Sequence, residues 1–430
     1  MDILKRLKAA DFFGEIAKAE QLTAEELTEA VETGSIVIPF NPHHENLIPT
    51  AIGKNCKTKV SASIGMYHPT DTVAGELEKA KEAVAAGADT LMDLSVRGNM
   101  DGFRKILLTE VSIPVGTLPL YQALSYAQEK YGSAFKMEAD DLFEVIEKQA
   151  ADGVDFMAVH PGITLAMLEK IKGSGRIDPL VSFGGSHLIG WMVKNQKENP
   201  LYEQYDRLLD ICKKYGVTLA LADAMRPGCL ADSLDGPMVE ELVLLGEMVK
   251  RAQAAGVQIM VKGPGHMPLN HVEATMTLEK SLCHDAPYFV FGPLLTDIAV
   301  GYDHINAAIG GALSAYHGAD FLCYVTAAEH LGLPNKEQVR EGVIASRIAA
   351  HAGDIAKGIP HAAVWDLEMS IARKDLDWDK QMELAIDPER AKYIRETRNP
   401  SGSKGCAMCG KYCAMKILSK YLSLDHVYQC

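Results

Sequence analysis

Three cysteines near the end of the chain form the pattern with the clearest chemical meaning. Cys406, Cys409 and Cys413 fall within eight residues, directly after a glycine-containing segment, RNPSGSKG. Three thiolates at this spacing can bind a [4Fe–4S] cluster and leave its fourth iron open to S-adenosylmethionine. One electron from such a cluster cleaves a sulfonium C–S bond and releases a 5′-deoxyadenosyl radical. A structural zinc site completed by His426 or Cys430 explains the spacing about as well.

Two histidines in loops rich in glycine and proline are candidates for binding a divalent metal. His266 lies in KGPGHMP and His330 lies in TAAEHLGLP, each just after a strand-like run. Two such loops can present both imidazoles to one Zn²⁺ or Fe²⁺, with water or substrate completing the coordination. The alternative is a pair of hydrogen-bonded loop histidines without a metal, which is the more frequent situation for any single histidine.

Two further segments carry residues suited to binding an anionic ligand. ADAMRPG contains Asp223, which can orient or deprotonate a polar group, and Arg226, which can clamp a carboxylate or phosphate. A local ion pair that closes the turn explains this segment equally well. SFGGS, at 182–186, offers backbone N–H groups to a phosphate, although a glycine pair alone is weak evidence.

The elements that must position these residues are repeated βα units. From about residue 57, short apolar runs alternate with stretches of helical periodicity, which predicts a parallel sheet closed into a (β/α)₈ barrel. The runs cover 59–65, 89–95, 115–121, 155–160, 179–185, 218–223, 258–263, 288–292 and 321–326. Because a barrel needs only eight strands, one of the nine runs must be a loop or an accessory strand.

Polar residues gather at the carboxyl ends of these runs, the end of a barrel at which sites are built. They are Ser63, Asp93, Tyr121, His160, Ser182, Asp223, Lys262, His266, Thr326 and His330. The alternative is that strand ends are polar simply because they leave the core for solvent.

The organisation along the chain predicts four regions. An N-terminal region covers 1–56, the catalytic barrel 57–335, a helical region 336–397, and a flexible tail with the cysteine motif 398–430.

Composition excludes several classes of protein. The 430 residues carry a formal net charge of −14, which argues against nucleic acid or an anionic membrane surface as the main partner. No apolar run is long enough to span a membrane, and the amino end predicts a short amphipathic helix rather than a signal peptide. The nine cysteines are an odd, mostly scattered set, which favours the reducing cytoplasm.

Several long segments resemble one family of enzymes. GADTLMDLS, VGTLPLYQA, ENPLYEQYD, GPGHMPL, FGPLLTDIAVGYDHINAAIGGA and GADFLCYVTAAEHLGLP are similar to the family of phosphomethylpyrimidine synthase and 5-hydroxybenzimidazole synthase. The resemblance implies a homodimeric barrel enzyme that uses S-adenosylmethionine, a [4Fe–4S] cluster on the tail cysteines and an electron donor such as a flavodoxin or ferredoxin. It also implies 5-aminoimidazole ribonucleotide as substrate, and one Zn²⁺ or Fe²⁺ on His266 and His330.

The resemblance also implies a set of ligand-contacting positions. Seven of them keep the residue type of the thiamine enzyme: Met92, Tyr121, His160, Ser182, Gly184, Asp223 and Arg226. Four depart from it: Ser63 replaces Asn, Phe183 replaces Arg, Lys262 replaces Glu, and Phe289 replaces Tyr, with Tyr288 beside it. The cysteine motif is one residue shorter than the usual C-x₂-C-x₄-C. Asp223, Arg226, Tyr121, His160 and Lys262 are the expected catalytic residues. The first four bind substrate and shuttle protons, and Lys262 stabilises a departing phosphate or a developing enolate oxygen.

The departures indicate the branch of the family. Exchanging Glu for Lys262 and Arg for Phe183 changes the electrostatics of a pocket for a reactive ribonucleotide, and such changes alter what a site stabilises. We therefore favour 5-hydroxybenzimidazole as the product, and hydroxymethylpyrimidine phosphate, the thiamine precursor, as the alternative. A non-radical, metal-dependent barrel lyase and a non-catalytic partner of a true synthase are the other hypotheses.

Overall fold

The computed structural model describes residues 3–399, 408 and 412–422. The chain forms two compact units, Met1–Lys357 and Gly358–Cys430. The described part of the chain contains no helix with both the length and the apolar character that a membrane span requires.

The first unit begins with a small N-terminal region that has its own core. It contains α1 (Ile3–Ala9), α2 (Phe12–Glu20), α3 (Ala24–Thr33) and a two-stranded antiparallel sheet of β1 (Ile36–Val37) and β2 (Ile52–Gly53). Helix α3 begins with a capping box, in which the side chains of Thr23 and Glu26 each accept the backbone N–H of the other residue. The buried pair of His44 and Asp155, 2.8 Å apart, fixes this region to the barrel.

Eight parallel strands close into a barrel, as the sequence predicts. They are β3 (Lys59–Ile64), β4 (Thr90–Asp93), β5 (Val115–Thr117), β6 (Phe156–Val159), β7 (Thr218–Ala222), β8 (Ile259–Lys262), β9 (Tyr288–Phe291) and β10 (Phe321–Cys323). Each strand pairs with the next along the chain, and β10 pairs with β3. All the carboxyl ends therefore meet at one mouth.

Helices surround the strands and continue past the last one. They are α4 (Val73–Ala85), α5 (Met100–Glu110), α6 (Pro119–Tyr131), α7 (Ala139–Asp152), α8 (Leu165–Gly173), α9 (Phe183–Asn195), α10 (Pro200–Glu203), α11 (Tyr205–Tyr215), α12 (Gly236–Ala255), α13 (Val272–Leu282), α14 (Asp303–His317) and α15 (Lys336–Lys357). Because α15 packs against α14, α4 and β3, it completes the ring of barrel helices, and the first unit extends to Lys357.

The ninth strand-like run, at 179–185, is not a strand. It contains the start of α9, where the Ser182 hydroxyl accepts the Gly185 N–H at 3.2 Å and caps the helix. A serine whose hydroxyl accepts the backbone N–H three residues later marks the start of a helix. This signal decides the local structure, although a short apolar run precedes it.

Aromatic rings fill the barrel interior below its mouth. Phe289 stacks on Phe321 with ring centroids 3.9 Å apart, and Phe321 lies 6.4 Å from Phe156. Gly116 makes room for Phe156, because a Cβ at this position would lie 2.3 Å from that ring. These rings occupy the barrel interior, and the carboxyl ends of the strands are the end at which a barrel builds its site.

The second unit is helical in its described part. It contains α16 (Pro360–Lys374), α17 (Trp378–Leu384), α18 (Pro388–Arg398) and α19 (Ala414–Leu422). Trp365 donates its indole N–H to the Leu384 carbonyl at 2.8 Å, which joins α16 to α17. Cys413 directly precedes α19 and is buried, whereas Cys406 and Cys409 lie outside the described residues.

Candidate active site

His160, just after β6, lies at the centre of a polar cluster in the barrel mouth. Its ring is buried, with Nε2 3.1 Å from the Ser182 hydroxyl. Burial, together with the positive charges of Arg226 and Lys262, lowers the pKa of His160 to about 3. The imidazole is therefore neutral at pH 7.

The contact with Ser182 involves one nitrogen of this neutral ring. The Ser182 oxygen accepts the Gly185 N–H, and its hydroxyl can either donate to or accept from His160 Nε2. The other ring nitrogen, Nδ1, is buried and has no hydrogen-bond partner among the described residues. A buried polar atom of this kind is suited to a bound ligand.

Gly184 allows the helix start to approach His160. A Cβ at Gly184 would lie 2.4 Å from the Cε1 atom of the His160 ring. No side chain fits at that distance, so the glycine is needed for the contact between α9 and the imidazole.

Asp223 and Lys262 have opposite perturbations. Burial raises the pKa of the Asp223 carboxyl well above its usual range, although the nearby Arg226 and Lys262 oppose this effect. Burial also lowers the pKa of the Lys262 ammonium, and the charge of Arg226 adds to the effect. The cluster thus combines an acid that holds its proton more strongly than a solvated aspartate does with a cation that loses its proton more easily than a solvated lysine does.

The geometry around this pair leaves groups available for a ligand. The Lys262 Nζ atom lies 3.8 Å from the centroid of the Phe289 ring, a cation–π contact. Arg226 is half-buried and donates weakly to the Asp223 carbonyl at 3.4 Å. The Asp223 Oδ1 atom is buried and lacks a hydrogen-bond partner in the described part of the chain.

Tyr121 and Phe183 form an aromatic wall. Their ring centroids are 4.6 Å apart in an edge-to-face arrangement, and Phe183 also contacts His187 at 4.2 Å. Burial raises the pKa of Tyr121 to about 12, which keeps the phenol protonated near neutral pH. Since Phe183 is 40% exposed, part of this wall is open to a ligand.

Three predicted contact residues lie deeper in the barrel. Met92 in β4 and Phe289 in β9 are fully buried, and Phe289 is linked to the cluster through Lys262. Ser63, in β3, lies 3.8 Å from Cys323 Sγ. Tyr288 is next to Phe289 but points to the other face of the strand, beside Gly263, so its hydroxyl does not replace the missing tyrosine.

His266 and His330 come together at the mouth. Their ring centroids are 5.3 Å apart. His266 Nδ1 lies 2.9 Å from Asp297 Oδ1, and His330 Nδ1 lies 3.3 Å from Asp303 Oδ1. The hydrogen bond to Asp297 orients the His266 ring, and a carboxylate beside Nδ1 of each ring leaves the Nε2 atoms for a metal, so the pair fits one divalent ion.

The histidine pair offers two possible metal ligands rather than three. Over residues 3–399, 408 and 412–422, no group of three His, Cys, Asp or Glu side chains is arranged to hold a metal. Because the two carboxylates contact the histidines themselves, an ion bound here would need water or substrate to complete its coordination sphere.

Sequence reasoning missed Asp297 and Asp303. Both lie in FGPLLTDIAVGYDHINAAIGGA, the longest family-like segment, and this is the only sequence signal for them. It also missed a cavity of about 210 Å³ between the loops after β3 and β10, lined by Ser63, Tyr67, Glu76, Thr326 and Glu329.

Comparison with known proteins identifies the family. The sequence model of the radical SAM ThiC family matches residues 2–420. The chain belongs to the radical SAM ThiC family. It is therefore a radical enzyme that uses S-adenosylmethionine and an iron–sulfur cluster, which confirms the resemblance inferred from the sequence.

Curated relatives in the ThiC family come from two branches. The chain is 61% identical to 5-hydroxybenzimidazole synthase BzaA of Moorella thermoacetica, over 95% of this chain and 94% of the relative. It is 58% identical to BzaA of Eubacterium limosum, over 99% and 100%. It is 56% identical to phosphomethylpyrimidine synthase of Desulforamulus reducens, over 95% of each chain. The identities to the two branches are close, so identity alone does not decide which product this enzyme forms. The residues at the barrel mouth carry that argument.

Proposed function

We propose that this protein is a 5-hydroxybenzimidazole synthase. It converts 5-aminoimidazole ribonucleotide into the benzimidazole of the lower ligand in anaerobic cobalamin biosynthesis. The observation that carries the proposal is Lys262, a cation held over the Phe289 ring beside a buried carboxyl group, where the thiamine branch has an acid. When bound, a reduced cluster and S-adenosylmethionine supply a 5′-deoxyadenosyl radical that abstracts hydrogen from the ribose.

The charges at the mouth suit a reaction that loses phosphate. 5-Hydroxybenzimidazole carries no phosphate, whereas the thiamine precursor keeps its phosphate. Arg226 clamps the substrate phosphate, and Lys262 stabilises the departing phosphate or a developing enolate oxygen. Asp223 is suited to giving a proton to a leaving oxygen, because burial raises the pKa of its carboxyl group.

The aromatic wall suits the shape of the product. Tyr121 and Phe183 present an apolar edge at which a flat bicyclic ring can pack. Phe183 replaces an arginine of the thiamine branch, so a phosphate clamp is exchanged for an apolar surface. The neutral His160 forms a hydrogen bond between its unpartnered Nδ1 atom and a polar atom of the substrate.

The product of a single anaerobic reaction tests this function. We expect reconstituted protein with 5-aminoimidazole ribonucleotide, S-adenosylmethionine and a reductant to form 5-hydroxybenzimidazole and one inorganic phosphate per product. Mass spectrometry and a phosphate assay measure the two together. If hydroxymethylpyrimidine phosphate is the only product and no phosphate is released, the protein is the thiamine enzyme and the proposal is wrong.

His266 and His330 hold one divalent metal, Zn²⁺ or Fe²⁺, in this proposal. Such an ion supplies a Lewis acid that helps to position the cosubstrate. The support is the closeness of the two rings and the carboxylate on each Nδ1 atom.

Removing either histidine is expected to remove this metal alone. Protein loaded with Zn²⁺ and reconstituted with a cluster should lose about one zinc per chain in His266→Ala or His330→Ala, and keep its brown colour. The reason is that barrel loops and tail cysteines are separate segments. Elemental analysis with visible absorbance measures both, and His317→Ala, next to the surface carboxylate of Glu273, is the matched control. Unchanged zinc in both site variants would contradict the assignment.

The reaction also needs a source of single electrons. We propose a small electron donor of the flavodoxin or ferredoxin class, and the cytoplasm as the compartment, because free thiols and a reduced cluster require reducing conditions.

A homodimer is the proposed assembly, with α14 at the interface. Along this helix Tyr302, Ile305, Ile309 and Tyr316 follow one another at helical spacing, and each is at least half exposed. An apolar stripe of this length is costly to leave in water, and a second copy of the chain can cover it by two-fold symmetry.

A charge in this stripe is expected to prevent dimerisation. Ile309→Glu should elute and scatter light as a monomer at concentrations at which the wild-type protein is a dimer, because a carboxylate would be buried without a partner. Val243→Glu, on the exposed face of α12, is the control and should remain dimeric. A dimeric Ile309→Glu protein would place the interface elsewhere.

A further inference from the structure

Asp297, in the loop after β9, contacts two other loops at the barrel mouth. Its Oδ1 atom lies 2.9 Å from Nδ1 of His266, in the loop after β8. Its Oδ2 atom accepts the backbone N–H of Leu230 at 2.9 Å, in the loop after β7. One carboxylate therefore links a candidate metal ligand to the segment that carries Asp223 and Arg226.

We propose that Asp297 is a positioning residue that orients the His266 ring for metal binding. It also couples this ring to the loop after β7, residues 223–230, which we call the substrate loop. The inference rests on the metal proposed for His266 and His330. Asp297 does not itself bind the metal in this proposal. Its Oδ1 atom contacts Nδ1 of His266, whereas the metal would bind Nε2, on the other side of the ring.

The chemistry of a carboxylate explains the first half of this role. Two ionised oxygens are acceptors only, so Nδ1 of His266 must carry a proton to make the 2.9 Å contact. With the proton on Nδ1, the lone pair lies on Nε2 and can bind a metal. The carboxylate thus selects both the tautomer and the orientation of the ring.

The contact with Leu230 explains the second half. Leu230 begins a short 3₁₀ helix, Leu230–Asp232, that ends the loop containing Arg226. At the end of this turn the Asp232 carboxylate accepts the N–H groups of Ile177 and Asp178 at 3.0 and 2.9 Å. The end of the substrate loop is therefore held by two sets of hydrogen bonds. The bond from Leu230 to Asp297 is the one next to His266.

An amide at this position cannot keep both contacts. Asparagine offers one acceptor and one donor, whereas His266 Nδ1–H and Leu230 N–H both need an acceptor. If its oxygen faces Leu230, its NH₂ group moves the His266 proton to Nε2 and blocks the metal. If its oxygen faces His266, the Leu230 N–H meets a donor and the loop is released.

Asp303 provides a matched comparison on the second histidine. Its Oδ1 atom lies 3.3 Å from Nδ1 of His330, but its Oδ2 atom has no hydrogen-bond partner among the described residues. In Asp303→Asn the oxygen can face His330 without placing an NH₂ group against another donor. Both variants remove one negative charge. Only Asp297→Asn places an NH₂ group against another hydrogen-bond donor.

The test measures Zn²⁺ affinity of the full-length, cluster-reconstituted protein against a chromophoric chelator. We expect the dissociation constant to rise about 10- to 100-fold in Asp297→Asn and less than about 10-fold in Asp303→Asn. In metal-free protein labelled with ¹⁵N-histidine, the His266 signal should change from the Nδ1–H to the Nε2–H tautomer or become a mixture. Unchanged affinity and tautomer in Asp297→Asn would overturn the inference, as would equal losses of affinity in the two variants.

A second variant tests the link to the substrate loop while the side chains of Asp297 and His266 stay unchanged. Leu230→Pro removes the N–H that Asp297 accepts, and Cys229 before it already has the extended backbone that a proline requires, with φ −148° and ψ 165°. We expect weaker Zn²⁺ binding in this variant, and an unchanged affinity would overturn the coupling. Wild-type protein that binds no Zn²⁺ would instead refute the proposed metal, so the two failures are distinguishable.

Discussion

Reconstituted Cys409→Ala protein is expected to be colourless and to form neither 5′-deoxyadenosine nor 5-hydroxybenzimidazole. Three thiolates bind the cluster in this proposal, and losing one of them leaves too few ligands to retain it. Activity should fall below the detection limit, the largest effect that we expect from a single substitution. Visible absorbance, iron content and product formation under anaerobic conditions measure the outcome.

The matched control is another cysteine of the tail. Cys430→Ala should keep the brown colour and the activity, because Cys430 lies outside the three-cysteine motif. It also tests the alternative of a structural zinc site, in which Cys430 or His426 is the fourth ligand. A colourless wild-type protein that contains zinc after reconstitution would contradict the cluster assignment.

The barrel could be predicted because its strands are buried on both faces. Such strands appear as short apolar runs separated by helical segments, and eight of the nine runs are strands of the barrel. The run at 179–185 is misleading because it joins an apolar stretch to the cap of α9. Ser182 and Gly185, spaced for a helix start, are the local signal that distinguishes it.

The polar cluster was predictable for a related reason. His160 and Asp223 directly follow buried strands, Lys262 ends one, and parallel strands bring their carboxyl ends to one mouth. The type of each residue and its place after a strand are both visible in the sequence.

The carboxylates beside His266 and His330 were not predictable in this way. Asp297 is 31 residues from His266, and Asp303 is 27 residues from His330. Their contacts depend on the path of the loop after β9, which no periodic pattern encodes. Their residue type is also common on protein surfaces, so aspartate alone does not indicate a site.

The Lys262→Glu variant is expected to lose 5-hydroxybenzimidazole formation by at least about 100-fold, or about 2.7 kcal/mol in the barrier. The substitution removes the cation and places a carboxylate near buried Asp223, so a leaving phosphate would meet like charge. Phosphate release and 5-hydroxybenzimidazole formation should fall together, and 5′-deoxyadenosine formation should fall less because Lys262 acts after the radical forms. The three products are measured in the same anaerobic reaction.

Lys262→Met separates the charge of this residue from its shape. Methionine can pack on the Phe289 ring as the lysine stem does, but it lacks the positive charge. If charge is the cause, the methionine variant should lose activity about as strongly as the glutamate variant, since neither stabilises an anion. Activity retained in Lys262→Glu would remove the main support for the benzimidazole product. Hydroxymethylpyrimidine phosphate formed by Lys262→Glu combined with Phe183→Arg would instead show that these two positions select between the branches.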